Sequence, residues 1–299
     1  MSSVTEVPAA GAHRNSTGDV VAEHRRGGRV FTAARIRSFV LEAGSGPNVL
    51  CMHGMWGSSF LPQGDPRARV PRAAWHAFDL PGFGFAGRPK DYDYSWSGLG
   101  RFAVAAVDEL QLDRFHLVVH DIGGPVGFEL ASKLPERVAT LTIFNTMIDV
   151  TTFKPPWSMQ PFRYRGLGEM WLKGLNKPMF RMLMRLQGVR DRRAISDAEL
   201  NAYLELMKGD DRGRSFLRIM RSTDRTSEKE ALYRSAMRHV PYPVQVVWAA
   251  DDPALKVNVY GETARKAAGL RQIELIPGKH FPHEDQPALM AEHIARIAR

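Results

Sequence analysis

The chain has 299 residues, of which 44% are hydrophobic and 24% charged, and Cys51 is its single cysteine. This composition excludes a collagen-like, coiled-coil or wholly disordered protein, and one cysteine excludes an internal disulfide. No apolar run reaches the roughly 18 to 20 residues of a membrane span, and the N-terminal residues lack the apolar core of a secretory signal. We therefore expect a cytoplasmic protein without a membrane partner.

The net charge of +9 is confined to one part of the chain. Residues 151–240 contain 19 lysines and arginines against 10 acidic residues, whereas the rest of the chain contains 22 of each. These basic residues are spread along stretches of helical periodicity, and aromatic residues do not alternate with them as in nucleic-acid-binding motifs. The pattern predicts a solvated surface and no nucleic-acid partner.

Apolar runs alternate with helical stretches along most of the chain. Residues 1–24 lack periodicity and predict a mobile tail, followed by a core over residues 25–149 and 240–299. Two helices are predicted over Phe102–Leu110 and Gly123–Leu134. Apolar strands that alternate with helices predict a doubly wound, mostly parallel α/β sheet. The predicted strands are Arg29–Ile36, Arg37–Glu42, Asn48–Met52, Trp75–Leu80, Phe115–His120, Val138–Asn145, Val244–Trp248 and Ile273–Ile276.

Two intervals depart from this alternation. Residues 150–239 show no clear strand pattern and hold 8 of the 13 methionines, which predicts a helical cap with an adaptable apolar wall. Between residues 53 and 79, Pro62, Pro66 and Pro71 interrupt the place of a helix. Since proline disrupts a helix interior, we expect this helix to be short, broken or poorly ordered.

The segment Val118–Gly124 has the layout of a nucleophile elbow. An apolar strand runs into Asp121, which is followed by small residues and a helix. A carboxylate in this position can attack an sp³ carbon and form an alkyl ester that water then cleaves. The alternative is that Asp121 merely caps the helix.

Two later strands also end in polar residues that suit catalysis. Val244–Trp248 is followed by Asp251 and Asp252, and Ile273–Ile276 leads to His280. The order Asp121, Asp252, His280 matches the chain order of nucleophile, acid and base in the α/β-hydrolase architecture. We therefore predict that these three side chains converge.

The chain resembles the α/β-hydrolases of the haloalkane dehalogenase and epoxide hydrolase group over about residues 28–298. The resemblance implies that Asp121 is the nucleophile, His280 the base and Asp252 the acid that orients it, with Asp149 or Asp251 as alternative acids. It also implies an oxyanion hole from the backbone N–H groups of Met55 and Ile122, and a cap between the sixth and seventh strands. The segments that carry the resemblance are Cys51–Gly54, Asp79–Gly84, Val119–Gly124, Trp248–Pro253, Lys279–Phe281 and Glu284-Asp285.

The two subfamilies differ in how the leaving group is stabilised. Dehalogenases of this group usually have Trp after the nucleophile and often Asn after His-Gly, where this chain has Ile122 and Met55. The resemblance implies that Trp56 or Trp157 would replace those halide donors. Epoxide hydrolases use cap tyrosines, for which Tyr164 and then Tyr233 are candidates.

The sequence favours epoxide hydrolysis, because a tyrosine donor remains while both usual halide donors are missing. The alternatives are haloalkane dehalogenation and a catalytically idle fold that binds an apolar ligand. His120, next to the nucleophile, is a further candidate contact for the leaving group or substrate. The expected partners are a small apolar substrate and water, with no metal or organic cofactor, in a monomer or homodimer.

Overall fold

The computed structural model describes residues 16–57, 59 and 73–298. The strands are β1 Gly28–Ala33, β2 Ile36–Gly44, β3 Asn48–Met52, β4 Ala74–Phe78, β5 Phe115–Asp121, β6 Val138–Thr146, β7 Val244–Ala249 and β8 Glu274–Ile276. The helices are α1 Thr17–Gly27, α2 Trp96–Glu109, α3 Gly123–Lys133, α4 Leu167–Gly174, α5 Lys177–Leu183, α6 Asp197–Lys208, α7 Arg214–Arg221, α8 Ser227–Ser235, α9 Glu262–Ala268, α10 Pro282–Asp285 and α11 Pro287–Ile297.

The strands form one eight-stranded sheet in the order β1-β2-β4-β3-β5-β6-β7-β8. β2 is antiparallel to both of its neighbours, and the strands from β4 to β8 pair in parallel. From β3 the chain passes to β4 on one side, and the later strands β5 to β8 are added on the other side. The boundary between β3 and β5 is therefore a topological switch point. The predicted doubly wound, mostly parallel sheet is confirmed.

The central strands are buried on both faces, which explains their continuous apolar runs. All seven residues of β5 are buried. Leu117 and Val119 belong to the larger apolar cluster, which includes residues of α2 and α3, whereas Val118 packs in a second cluster with residues of α11. Helices therefore cover both faces, as expected for a parallel sheet.

The segment between β6 and β7, residues 147–243, is here called the helical insertion. It contains α4 to α8, a 3₁₀ turn at Gln160–Arg163 and a π-helical turn at Met184–Gly188. α5, α6 and α8 begin at side-chain caps; Ser196, for example, accepts a hydrogen bond from the backbone N–H of Glu199 at the start of α6. The insertion occupies the interval in which the sequence predicted a helical cap.

The N-terminal prediction needs a correction. Residues 17–24, predicted as part of a mobile tail, lie in α1, which packs against α6. Ser16 caps this helix, and Val20 and His24, spaced four residues apart, are buried on one face. The helix was not predicted from the sequence because only these two residues form its buried side, which gives no clear helical periodicity. The remaining tail, residues 1–15, and most of the proline-interrupted interval, residues 60–72, lie outside the described residues. Across the described part of the chain, no helix is long and apolar enough to cross a membrane.

Candidate active site

Polar groups from five strands meet at the carboxyl edge of the sheet. Met55 follows β3, Asp121 ends β5, Asn145 lies near the end of β6, Asp252 follows β7 and His280 follows β8. In open α/β sheets, ligands bind in the crevice at this edge, at the switch point. Here the switch point lies between β3 and β5, so Met55 and Asp121 face each other across it.

The backbone at Asp121 makes the sharp turn predicted for a nucleophile elbow. Its φ is +51°, in the left-handed region that few non-glycine residues adopt. Gly54 approaches the same point so closely that a Cβ on it would lie 2.3 Å from the Cβ of Asp121. The absence of a side chain at Gly54 therefore lets the loop after β3 lie against the elbow.

The Asp121 carboxylate is held at both oxygens. The backbone N–H of Met55 donates to Oδ1 at 2.6 Å, and Oδ2 lies 3.2 Å from Nε2 of His280. Met55 thus occupies the position of an oxyanion-hole donor. Ile122, predicted as the second donor, begins α3 and lines the same cavity as Asp121.

His280 is oriented from its other side by Asp252. Its Nδ1 lies 2.8 Å from Oδ2 of Asp252, which also accepts a hydrogen bond from the side-chain amide of Asn145 at 2.7 Å. The other carboxylate oxygen, Oδ1, accepts the backbone N–H groups of Ala254 and Leu255. With both oxygens satisfied, Asp252 has one orientation, and it fixes that of the imidazole ring.

The two alternative acids are engaged elsewhere. Asp251 is more than half exposed and forms a 2.8 Å ion pair with Arg190. Asp149 forms an ion pair with Arg234. The structure therefore places Asp252, and neither alternative, against His280.

The three groups shift each other's protonation. Burial works to raise the pKa of Asp121, but the hydrogen bond and positive charge of His280 outweigh it and lower that pKa. Burial likewise works to lower the pKa of His280, but the charge of Asp252 and the hydrogen bonds to both carboxylates raise it above its ordinary value. Both carboxylates therefore favour the protonated form of the imidazole ring that lies between them.

His120 acts on this arrangement through the main chain and does not line the cavity. Its Nε2 donates to the backbone carbonyl of His280 at 2.7 Å, and its ring packs against the rings of His280, Phe281 and His283. Burial is the main reason that the pKa of His120 is lowered to about 4. The predicted leaving-group contact is therefore replaced by a neutral side chain that positions His280.

Above Asp121 and His280 lies a mostly apolar cavity of about 80 Å³. The helical insertion forms most of its wall and contributes four methionines, so the predicted methionine-rich wall faces the site. The lining residues are Met55, Trp56, Trp96, Asp121, Ile122, Met147, Phe153, Pro155, Pro156, Ser158, Met159, Phe180, Leu183, Met184, Gln187, Gly188, Met220, Thr223, Arg225, Ala254, Leu255, His280 and Phe281.

Of the predicted aromatic contacts, Trp56 lines the cavity, with its ring stacked on that of Phe216. The other three lie elsewhere. Trp157 and Tyr164 are more than half exposed, because the turns that carry them point these rings outward. Tyr233 is buried beside Phe128, since α8 packs on α3. None of the described tyrosines lines the cavity; the hydroxyl of Tyr203, which is buried in α6, donates to Glu284.

Sequence reasoning missed three cavity residues that carry buried N–H donors. Trp96 Nε1, Gln187 Nε2 and Arg225 Nε are buried without a hydrogen-bond partner among the described residues. Buried donors are usually satisfied, so an unpaired one on a cavity wall indicates a group that arrives with a ligand. No sequence motif identifies these residues, because helix packing alone brings α2 and the insertion over the site.

Within the described ranges, no group of three or more His, Cys, Asp or Glu side chains has the arrangement of a metal site.

Comparisons with known proteins agree with this architecture. A family model described as the alpha/beta hydrolase fold matches residues 47–287. A haloalkane dehalogenase from Mesorhizobium japonicum is 28% identical over 277 residues, covering 86% of this chain and 86% of its own. The crystal structure of Cfl2 from Burkholderia cenocepacia has a TM-score of 0.76 at 22% identity, over 91% of this chain and 95% of that chain. The haloalkane dehalogenase DbeA from Bradyrhizobium elkani has a TM-score of 0.73 at 22% identity, over 91% and 98% of the two chains.

Because Asp252, and not Asp251, contacts His280, we predict that Asp252 controls the pKa of His280. Asp252→Asn should lower the pKa of His280, because it removes the charge that favours the imidazolium. Asp251→Asn, the matched control, should leave that pKa unchanged, since Asp251 is paired with Arg190 at the surface. The pKa would be read from the pH dependence of the His280 ring shifts by NMR. An equal fall in both variants would contradict the assignment of Asp252.

Proposed function

The chain belongs to the α/β-hydrolase family, and on this premise we propose that it hydrolyses the carbon–halogen bond of a small apolar substrate through an alkyl ester on Asp121. The proposal rests on the donors that line the cavity. Halide departure requires N–H donors and no proton, whereas an opening epoxide requires a proton donor such as a tyrosine hydroxyl.

The carrying observation is the indole of Trp96. It lines the cavity that holds Asp121 and His280, and its N–H is buried without a partner among the described residues. A halide ion accepts hydrogen bonds from such donors, and a buried unpaired donor costs about 1–3 kcal/mol that the ion would recover. No described tyrosine lies on the cavity wall. The unpaired indole N–H of Trp96 therefore favours dehalogenation over the epoxide hydrolysis that the sequence favoured.

In the first step, Oδ2 of Asp121 attacks the carbon that bears the halogen. The carbon–halogen bond breaks as the carbon–oxygen bond forms, and the halide leaves with the bonding electron pair. Met55 holds Oδ1 at 2.6 Å, whereas Oδ2 makes only the longer 3.2 Å contact with Nε2 of His280, so Oδ2 is the attacking atom. The lowered pKa of Asp121 keeps the carboxylate ionised and nucleophilic at neutral pH.

In the second step, His280 activates water to cleave the ester at its carbonyl carbon. Esterification removes the negative charge of Asp121, which is one cause of the raised pKa of His280. The pKa of His280 therefore falls, the ring releases its proton to solvent, and the neutral imidazole can accept a proton from water as the water oxygen bonds to the carbonyl carbon. The tetrahedral oxyanion lies at the Met55 N–H; as it collapses, the bond to the oxygen that belonged to Asp121 breaks, His280 returns its proton to that oxygen, and the alcohol leaves with it.

The size and lining of the cavity define the substrate class. A volume of about 80 Å³ holds roughly half a dozen water-sized groups. Most of the wall is apolar, with methionines that adapt to different shapes. A short-chain haloalkane fits these limits, and the similarity to the haloalkane dehalogenase from Mesorhizobium japonicum supports the same chemistry.

The two steps can be separated at His280. His280→Gln should still alkylate Asp121 and release one halide per chain, because the first step needs no base. Hydrolysis should then stop, so that intact-mass and peptide mass spectrometry after incubation with a short 1-bromoalkane should show the alkyl group on Asp121. Unchanged turnover, or an adduct on another residue, would contradict these roles.

Asp121→Asn provides the control for this experiment, since an amide is a poor nucleophile and should give neither halide nor adduct.

Lowering the pH should cause the same alkyl ester to accumulate on Asp121 in the native protein. Hydrolysis needs neutral His280, whereas alkylation needs only an ionised Asp121, whose pKa is lowered. The ester should therefore accumulate as the pH falls below the pKa of His280 in the ester.

The halide donor is tested by Trp96→Phe, which removes the N–H and keeps most of the ring. It should lower kcat/KM for a bromoalkane by roughly a hundredfold, the scale of losing one anion donor. Trp75→Phe is the matched control, because its Nε1 is also buried without a partner in the described structure but Trp75 does not line the cavity. Equal effects of the two substitutions would exclude Trp96 as the halide donor.

A further inference from the structure

The exposed large apolar side chains are concentrated on one part of the helical insertion. Of the nine found among the described residues, six fall within residues 157–186. We call these six the apolar face. They are Trp157, Tyr164, Leu167, Met170, Met182 and Leu186, each 45% to 68% exposed.

The segments that carry the apolar face meet beside the cavity: the Ser158 hydroxyl donates to Oε1 of Gln187, and the Ser158 carbonyl accepts the indole N–H of Trp171. Trp157 is flanked by Pro156 and Ser158, which line the cavity. Met182 directly precedes Leu183, another lining residue, and Leu186 is followed by the lining residue Gln187. Because their sequence neighbours line the cavity while Trp157, Met182 and Leu186 themselves face solvent, these three residues of the apolar face lie beside the cavity.

The same segment is strongly basic. Residues 157–186 contain six lysines and arginines and one acidic residue, Glu169. Glu169 is already paired with Arg221. Arg163, Arg165 and Lys173 are exposed and have no ion pair with any described residue. Arg163 and Arg165 also line an open surface pocket together with Arg218, Arg221 and Glu169, so that four guanidinium groups and one carboxylate meet there.

We propose that the apolar face and its flanking arginines dock on the surface of an anionic phospholipid bilayer. Apolar side chains would enter the boundary between headgroups and acyl chains, while Arg163, Arg165 and Lys173 bind lipid phosphates. The sequence predicted no membrane partner because it holds no spanning segment, but binding at the interface requires none. Symmetric self-association through this face would instead oppose like charges across the interface.

A bilayer also suits the chemistry of the site. An apolar substrate partitions into lipid, so docking with the cavity beside the membrane would deliver it from a concentrated source. This advantage rests on the proposed function, but docking itself does not. Vesicle binding can therefore succeed or fail independently of dehalogenase activity.

The test is co-sedimentation of the full chain with phospholipid vesicles. Vesicles of phosphatidylcholine with about 30% phosphatidylglycerol should bind the protein at least about tenfold more tightly than phosphatidylcholine alone, because each Lys or Arg near an anionic surface adds a gain of roughly fivefold and three such residues act here. Raising the salt to about 0.5 M should weaken binding, since it shortens the screening length. Absence of pelleting, or equal binding to both vesicles, would overturn the proposal.

Two pairs of variants locate the surface. Arg163→Glu/Arg165→Glu should weaken binding at least about tenfold. Lys266→Glu/Arg271→Glu makes the same charge change at exposed residues outside the insertion and should alter binding less than about threefold. Equal losses in the two variants would show that net charge alone attracts the protein, and would overturn the assignment.

Trp157→Ser/Met182→Ser should weaken binding about tenfold through lost apolar contact, whereas the equally exposed pair Val259→Ser/Leu275→Ser should not. Thermal unfolding would verify that each variant is folded. If the protein instead forms a dimer in sedimentation velocity that Trp157→Ser/Met182→Ser abolishes, and vesicles do not bind, the face is a self-association surface and the lipid proposal is wrong.

Discussion

The site depends on the left-handed backbone of Asp121. A non-glycine residue with φ near +51° is strained by roughly 1–3 kcal/mol, and the surrounding structure must hold it. That support comes from β5 and α3 on either side, from the side chain of Thr146, which donates to the carbonyl of Asp121, and from Gly54, whose missing side chain leaves room for the turn. The strain lifts one carboxylate off the sheet and aims it at the cavity.

The charges around this carboxylate then set the protonation of Asp121 and His280. Two buried carboxylates contact one imidazole ring, and their charges raise the pKa of His280. Alkylation of Asp121 removes one charge and releases His280 to act as a base. The acid, in contrast, keeps its charge throughout, because Asn145 and two backbone N–H groups satisfy it independently of His280.

The sheet and the three catalytic candidates were predictable for one physical reason. Buried parallel strands are continuous apolar runs, and polar residues at their carboxyl ends must meet at one edge, which brings Asp121, Asp252 and His280 together. Nothing comparable constrains the insertion. Whether Tyr164 faces the cavity or solvent depends on how its turn packs, and Trp96 reaches the site through the packing of α2. The unpaired N–H donors of the cavity-lining residues could therefore be found only in the structure.

The central claim is that Asp121 itself joins the substrate, and oxygen labelling tests it most directly. A single turnover in H₂¹⁸O, with protein in excess over a short bromoalkane, distinguishes the covalent route from direct attack by water. The covalent route predicts that the alcohol carries ¹⁶O from the carboxylate and that ¹⁸O is found in the peptide containing Asp121. An alcohol that carries ¹⁸O, with an unlabelled Asp121, would contradict the account.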